Sequence, residues 1–130
     1  MKRHLAVTVA ALSLLAALPA AAPAAQLKRG VYDCKGSASG YVNSVRILSG
    51  GRYVVGSSRV DGKLKDTTKG RFRVKGKTVR WLSGMYKRGN YRSTIYDGYF
   101  SIDRAKDNIW TGISCYHVAK PNGVAAPGVE

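Results

Sequence analysis

Between Val31 and Tyr116 the chain is a succession of short alternating runs broken by glycine: VYDCK, YVNSVRIL, RYVV, GRFRV, TVRWL, YRSTIY, YFSID and IWTGISCY. Almost nothing in this stretch has the spacing of an amphipathic helix. Eight such runs separated by turn signals predict an all-β fold, a small antiparallel barrel or sandwich of about eight short strands.

Two cysteines, Cys34 and Cys115, lie in the first and last of these runs. An even count in an exported chain predicts one disulfide joining the first strand to the last. It closes a loop of about 80 residues, which the chain-entropy model values at about 4 to 5 kcal/mol. A metal site fits worse, because His117 alone completes no ligand spacing. No metal and no cofactor are expected.

Export is expected from the other end. The chain opens MKRHLAVTVAALSLLAALPAAAPAAQ, a short positive head, an apolar run from Leu5 to Leu18, and small residues offering cuts such as Ala22-Pro23-Ala24. This is the pattern of a cleaved secretory signal over residues 1–25, and the run is too short for a retained membrane helix. The expected organisation is therefore a signal at 1–25, one β domain at 26–119, and a disordered tail at 120–130, where AKPNGVAAPGVE holds little to bury. The expected location is secreted or periplasmic, without stable membrane insertion.

Three turns predict register. Asp97-Gly98 suits a type I′ hairpin, pairing Tyr96 with Tyr99, Ile95 with Phe100 and Arg92 with Asp103. Lys75-Gly76 as a two-residue turn pairs Phe72 with Val79 and Gly70 with Trp81 on one face, and Arg73 with Thr78 and Arg71 with Arg80 on the other. Gly50-Gly51 brings Leu48 opposite Tyr53 and Ile47 opposite Val54. The second hairpin sets like charges opposite each other, which weakens a sheet. The fold gains nothing from that arrangement, so it points to a role outside the fold.

On the scale of the whole chain, Tyr32-x-Cys34, Gly50-Gly51-Arg52-Tyr53, Ser83-Gly84-x-Tyr86 and Trp110-Thr111-Gly112 before Cys115 resemble a pattern in small exported bacterial β proteins of unassigned function. The resemblance implies export, β structure and the bridge, and carries over no site residue. Lysozyme inhibitors resemble the chain in architecture, but no inhibitory motif can be placed.

The catalytic inventory is poor. Beyond the signal there is one histidine, His117, and the carboxylates Asp33, Asp61, Asp66, Asp97, Asp103, Asp107 and Glu130. Asp61 and Asp97 precede glycines in turn sequences, Asp103 is assigned to Arg92, and Asp33 and Asp66 have no local role. No nucleophile-elbow or phosphate-loop sequence occurs, and no catalytic residue is assigned.

Binding has better material. From Arg59 to Arg92 twelve basic residues face only Asp61 and Asp66, leaving a net +10 in about a third of the exported chain. An anion-binding patch is expected at Lys69, Arg71, Arg73, Lys75, Lys77 and Arg80, extended by Lys87, Arg88 and Arg92, with Tyr86 and Tyr91 stacking on bases or sugars. The expected function is a non-catalytic binding module for an anionic polymer or surface, such as a cell-wall polymer, nucleic acid or acidic lipid. The alternative is a secreted inhibitor or toxin docking on another protein. Oligomeric state is not legible.

Overall fold

A computed structural model describes residues 26–128, together with positions 8, 10 and 11. The expected signal segment, those three positions apart, lies outside the described residues, as do residues 129 and 130.

Each of the eight alternating runs becomes a barrel strand. In chain order these are β1 (Gly30–Gly36), β2 (Gly40–Leu48), β3 (Arg52–Gly56), β6 (Thr68–Lys75), β7 (Thr78–Trp81), β8 (Tyr91–Tyr96), β9 (Tyr99–Arg104) and β10 (Trp110–His117). Each pairs antiparallel with the next, and β10 returns to β1 to close the barrel. Cys34 and Cys115 lie directly opposite each other across that final seam and form the disulfide. Between β3 and β6 the chain leaves the barrel for β4 (Ser58–Val60) and β5 (Lys63–Lys65), which form a small sheet with β11 (Val124–Ala125). Among the described residues no helix is long and apolar enough to cross a membrane.

Alternation decides what fills the barrel. Val45, Ile47, Tyr53, Val79, Trp81, Phe100, Ile102 and both cysteines point inward and are buried. An eight-stranded barrel is just wide enough for its own side chains, and here aromatic rings take most of the space. Trp81 lies 4.7 Å from Tyr53 and 5.9 Å from Phe100 between ring centroids. The Tyr53 ring lies over Gly70, where a Cβ would come within 2.4 Å of the ring. The single helical turn α1 (Met85–Arg88) joins β7 to β8 and drives Tyr86 into the barrel end, 4.7 Å from Trp81. The Tyr86 hydroxyl reaches Asn43 Oδ1 at 3.4 Å and the Cys34 sulfur at 3.7 Å.

The turns depart from expectation in instructive ways. At Asp97-Gly98 the register is as expected, with Ile95 opposite Phe100 and Arg92 opposite Asp103. Only Gly98 takes a positive φ (77°), however, which is the third-position glycine of a type II turn. The two-residue turn with both φ positive occurs instead at Asp61 (48°) and Gly62 (76°), between β4 and β5. At the β6–β7 hairpin the turn residues are Gly76 and Lys77, so Phe72 meets Trp81, Arg73 meets Arg80 and Lys75 meets Thr78. That moves the expected register by two residues, which leaves every side chain on its expected face. At Gly50-Gly51 the loop also takes in Ser49, and Ile47 faces Tyr53 while Leu48 faces Arg52. Both glycines there have positive φ, so one more residue fits the connection without strain.

The tail also differs. Val124 and Ala125 pair with Val60 and Arg59, and the Asp61 amide donates to the Gly123 carbonyl at 2.7 Å. Residues 121–125 therefore lie against β4 rather than forming part of a disordered tail.

The disulfide ties the two paired barrel strands farthest apart in the chain, so its loss acts on the unfolded chain. Replacing Cys34 and Cys115 together by Ser should lower unfolding free energy by about 4 to 5 kcal/mol. Urea midpoints of the oxidised wild type and the double variant give the comparison; a difference below about 1 kcal/mol would contradict it.

Candidate functional site

On the outer wall the same alternation collects charge. Lys69, Arg71, Arg73 and Lys75 are the exposed cations of β6, the last three alternating with the inward Phe72 and Val74. Register then sets arginines side by side: Arg52 faces Arg71, Arg73 faces Arg80, and Arg80 in turn faces Arg92. Arg73, Arg80 and Arg92 thus form a row across β6, β7 and β8. Neighbouring strands lie about 4.8 Å apart. Arg71 therefore faces Arg52, not Arg80 as expected.

No ion pair among the described residues involves this row. Among the described residues the ion pairs are Arg59–Asp33 and Arg104–Asp107. Asp103 faces Arg92 in register but makes no ion pair with it. Its carboxylate accepts hydrogen bonds from Thr94 Oγ1 at 3.1 Å and Ser101 Oγ at 3.0 Å, and the residue is only 4% exposed. Short hydroxyls on the adjoining pair satisfy it without ordering a long arginine side chain.

Two hollows lie on this face. One, of about 270 Å³, is lined by Arg80, Lys87, Asn90, Tyr91 and Arg92 over the end of β7 and the start of β8. The other, of about 350 Å³, sets Arg52, Lys69 and Arg71 around the apolar side chains of Leu48 and Val54, with Ser83 at its edge. The expected patch is thus split between two concavities, with Arg73 in the row that leads to the first. Lys75 and Lys77 lie exposed at the β6–β7 turn, and Arg88 is exposed on α1 outside both hollows. Arg52, absent from the expected patch, belongs to it because of the β3–β6 register.

The two tyrosines behave differently. Tyr86 is 3% exposed and packs against Tyr53 and Trp81, so it cannot stack on a ligand. Burial pushes its phenol pKa well above the ordinary value. Tyr91 is half-buried, meets Tyr86 edge-on at 6.2 Å and lines the first hollow. His117 is half-buried, with its Nε2 3.2 Å from the Arg29 carbonyl oxygen. Among the described residues no three His, Cys, Asp or Glu side chains come together as metal ligands.

Arg59, the first cation of the basic stretch, serves the fold. From β4 it reaches Asp33 on β1, with Nε 3.1 Å from Oδ1 and Nη2 2.8 Å from Oδ2. Ser44 Oγ donates to Asp33 Oδ1 at 2.6 Å, and Arg59 Nη1 donates to the Pro121 carbonyl. The pair clamps the three-stranded sheet onto the barrel wall. Burial raises the Asp33 carboxyl, but hydrogen bonds from Arg59 and Ser44, with the charges of Arg59 and Lys35, outweigh it and hold the pKa below its ordinary value. Asp66, the other carboxylate without an expected role, accepts a hydrogen bond from Ser57 Oγ at 3.1 Å.

Because the folded pKa of Asp33 is depressed, its contribution is fully present above the unfolded value of about 3.9 and is lost as pH falls through the folded value. Asp33→Asn should cost about 3 to 5 kcal/mol near neutral pH by leaving Arg59 buried without a counter-charge. The gap between wild type and variant should then narrow as pH drops below about 4. Urea midpoints across pH measure both, and a gap that stays constant into acid would remove the clamp. No protein-family model, no curated protein and no solved structure matches this chain.

Proposed function

We propose that the protein is an exported, non-catalytic binding module for an anionic polymer or surface, and that it binds through the outer wall of β3, β6, β7 and β8. The observation that carries this reading is the Arg73–Arg80–Arg92 row, three arginines facing one another in register and, among the described residues, with no carboxylate in ion-pair range. Such a row costs the folded protein self-repulsion, which an anion lying across it relieves. Guanidinium groups suit the role because their fixed fork meets carboxylate or phosphate oxygens two at a time.

The two hollows extend the row in both directions along the wall. Arg80, Lys87 and Arg92 surround the first and Arg52, Lys69 and Arg71 the second, so a polymer with repeated charges has several places to seat them. Tyr91 offers the first hollow an aromatic flank. Export is part of the proposal; it rests on the amino-terminal sequence and agrees with a structural disulfide.

The test is the joint variant Arg73→Ser, Arg80→Ser and Arg92→Ser, titrated with DNA, heparin, a teichoic acid and anionic liposomes at several salt concentrations. For the polymer that binds wild type, the slope of log affinity against log salt should become shallower by about 2 to 3. The fold should be retained, since these side chains make no described ion pair or hydrogen bond. An unchanged slope in a folded variant would sink the reading. Binding to a purified protein with no response to any of the four would favour docking on another protein.

A further inference from the structure

A second feature of the outer wall lies on other strands and has nothing to do with the arginines. Tyr96, Tyr99 and Tyr116 stand side by side across β8, β9 and β10, with stacked rings at 4.7 and 5.3 Å between centroids. Tyr116 is nevertheless 46% exposed, and Trp110, on the same strand, is 52% exposed. Between these two lies a groove of about 360 Å³, bounded on its other side by Lys35, Gly36 and Ser37 and floored by Gly112 and Ser114.

The groove is held open and its walls are held in place. The Trp110 indole N–H donates to the Ile113 carbonyl at 2.9 Å, which fixes the ring while leaving its surface free. Tyr116 is braced from behind by Tyr99. Gly112 has a φ of 89°, and a Cβ there would come within 3.0 Å of Ser37 Oγ, so a side chain at this position would be strained and crowd the groove. The Ser37 amide donates to the Gly112 carbonyl at 2.7 Å and fixes the far bank. Lys35 is exposed and makes no described ion pair. A pocket of this volume is at the small end of the range for compact ligands, about 300 to 1,000 Å³.

We infer that this groove is a sugar-binding subsite that takes a pyranose ring bearing an acidic group. A pyranose has apolar C–H faces and a polar rim. Trp110 and Tyr116 offer two exposed ring surfaces for the faces, Ser37 and Ser114 offer hydroxyls for the rim, and Lys35 offers a cation for the acid. An acidic sugar uses the walls, hydroxyls and ammonium together; a nucleotide meets the same groups with its base edges and phosphate, and the oligothymidylate arm of the test separates the two. The arginine face lies on β3, β6, β7 and β8 and the groove on β10 and the end of β1, so the two share no strand. The inference therefore stands even if the arginine face binds nothing.

The probe is oligogalacturonate, compared with its neutral methyl ester and with oligothymidylate, followed by tryptophan fluorescence. Trp81 is buried but borders the first arginine hollow, so a ligand-induced change that persists in the joint arginine variant reports on Trp110. Oligogalacturonate should bind at millimolar concentration or better, and Trp110→Ala should weaken it about tenfold or more, the weight of one lost aromatic anchor. Because that variant also removes the signal, its affinity is read from amide NMR shifts, which also show whether it is folded. Lys35→Gln should abolish the preference for the acid over the ester. The joint arginine variant should keep the response, which separates this groove from the basic face. No response to oligogalacturonate, unchanged affinity in folded Trp110→Ala, or an equal fluorescence response to oligothymidylate would each overturn the sugar assignment.

Discussion

Closure of the sheet between β1 and β10 governs the rest of the structure, because the chain's first and last barrel strands have to find each other across about 80 intervening residues. Every other strand pairing in the barrel is between strands consecutive around the barrel and in the chain, most of them joined by short turns. The Cys34–Cys115 bond ties the one seam that is not, and it acts by limiting the unfolded ensemble. A closed barrel has no strand edges to protect. Its interior is narrow, and Tyr53, Trp81, Tyr86 and Phe100 occupy much of it. No room is left inside for charge, and the cations of β6, β7 and β8 lie on the outer wall.

Strand order then turns a sequence property into a spatial one. In a meander, runs adjacent in the chain become neighbours in the sheet, so cations on β6, β7 and β8 must collect on one wall. The excursion through β4 and β5 is the exception. It carries Arg59, Lys63 and Lys65 off the barrel, where Arg59 meets Asp33 and the lysines lie on the edge strand β5. Lysines suit such an edge because their charge discourages pairing with another chain. One basic segment in the sequence thus divides into a basic outer wall and a structural clamp.

The legible part of the fold was the part written in a local period. Alternation and glycine placed all eight barrel strands and sorted the β6–β7 side chains to the correct faces, even though their register was off by two residues. A run such as KGK or SGG admits more than one turn, and only cross-strand packing of Phe72 on Trp81, or Ile47 on Tyr53, selects between them. The Asp33–Arg59 pair joins residues 26 apart through a detour with no periodic signature, so nothing local announces it. Tyr86 was misplaced for a related reason. In MYKRGNYR it has the same neighbours as an exposed ligand-binding tyrosine, and only the direction of α1 sends it into the core. Arg52 went unnoticed because its partner Arg71 is brought to it across the β4–β5 insertion.

The barrel also explains how an unfavourable arrangement of charge is tolerated. Repulsion among Arg73, Arg80 and Arg92 acts in the folded state, where the strands hold them in register, and is weaker in an unfolded chain where they drift apart. The disulfide acts in the opposite place, on the unfolded chain, and its effect does not depend on what the outer wall carries. A cost confined to the native state is therefore offset by a constraint on the denatured one. The outer wall then carries groups that the interior cannot hold: guanidinium groups on β3, β6, β7 and β8, and aromatic rings on β8, β9 and β10. On β8 the two meet, with Arg92, Thr94 and Tyr96 following one another along one side of a single strand.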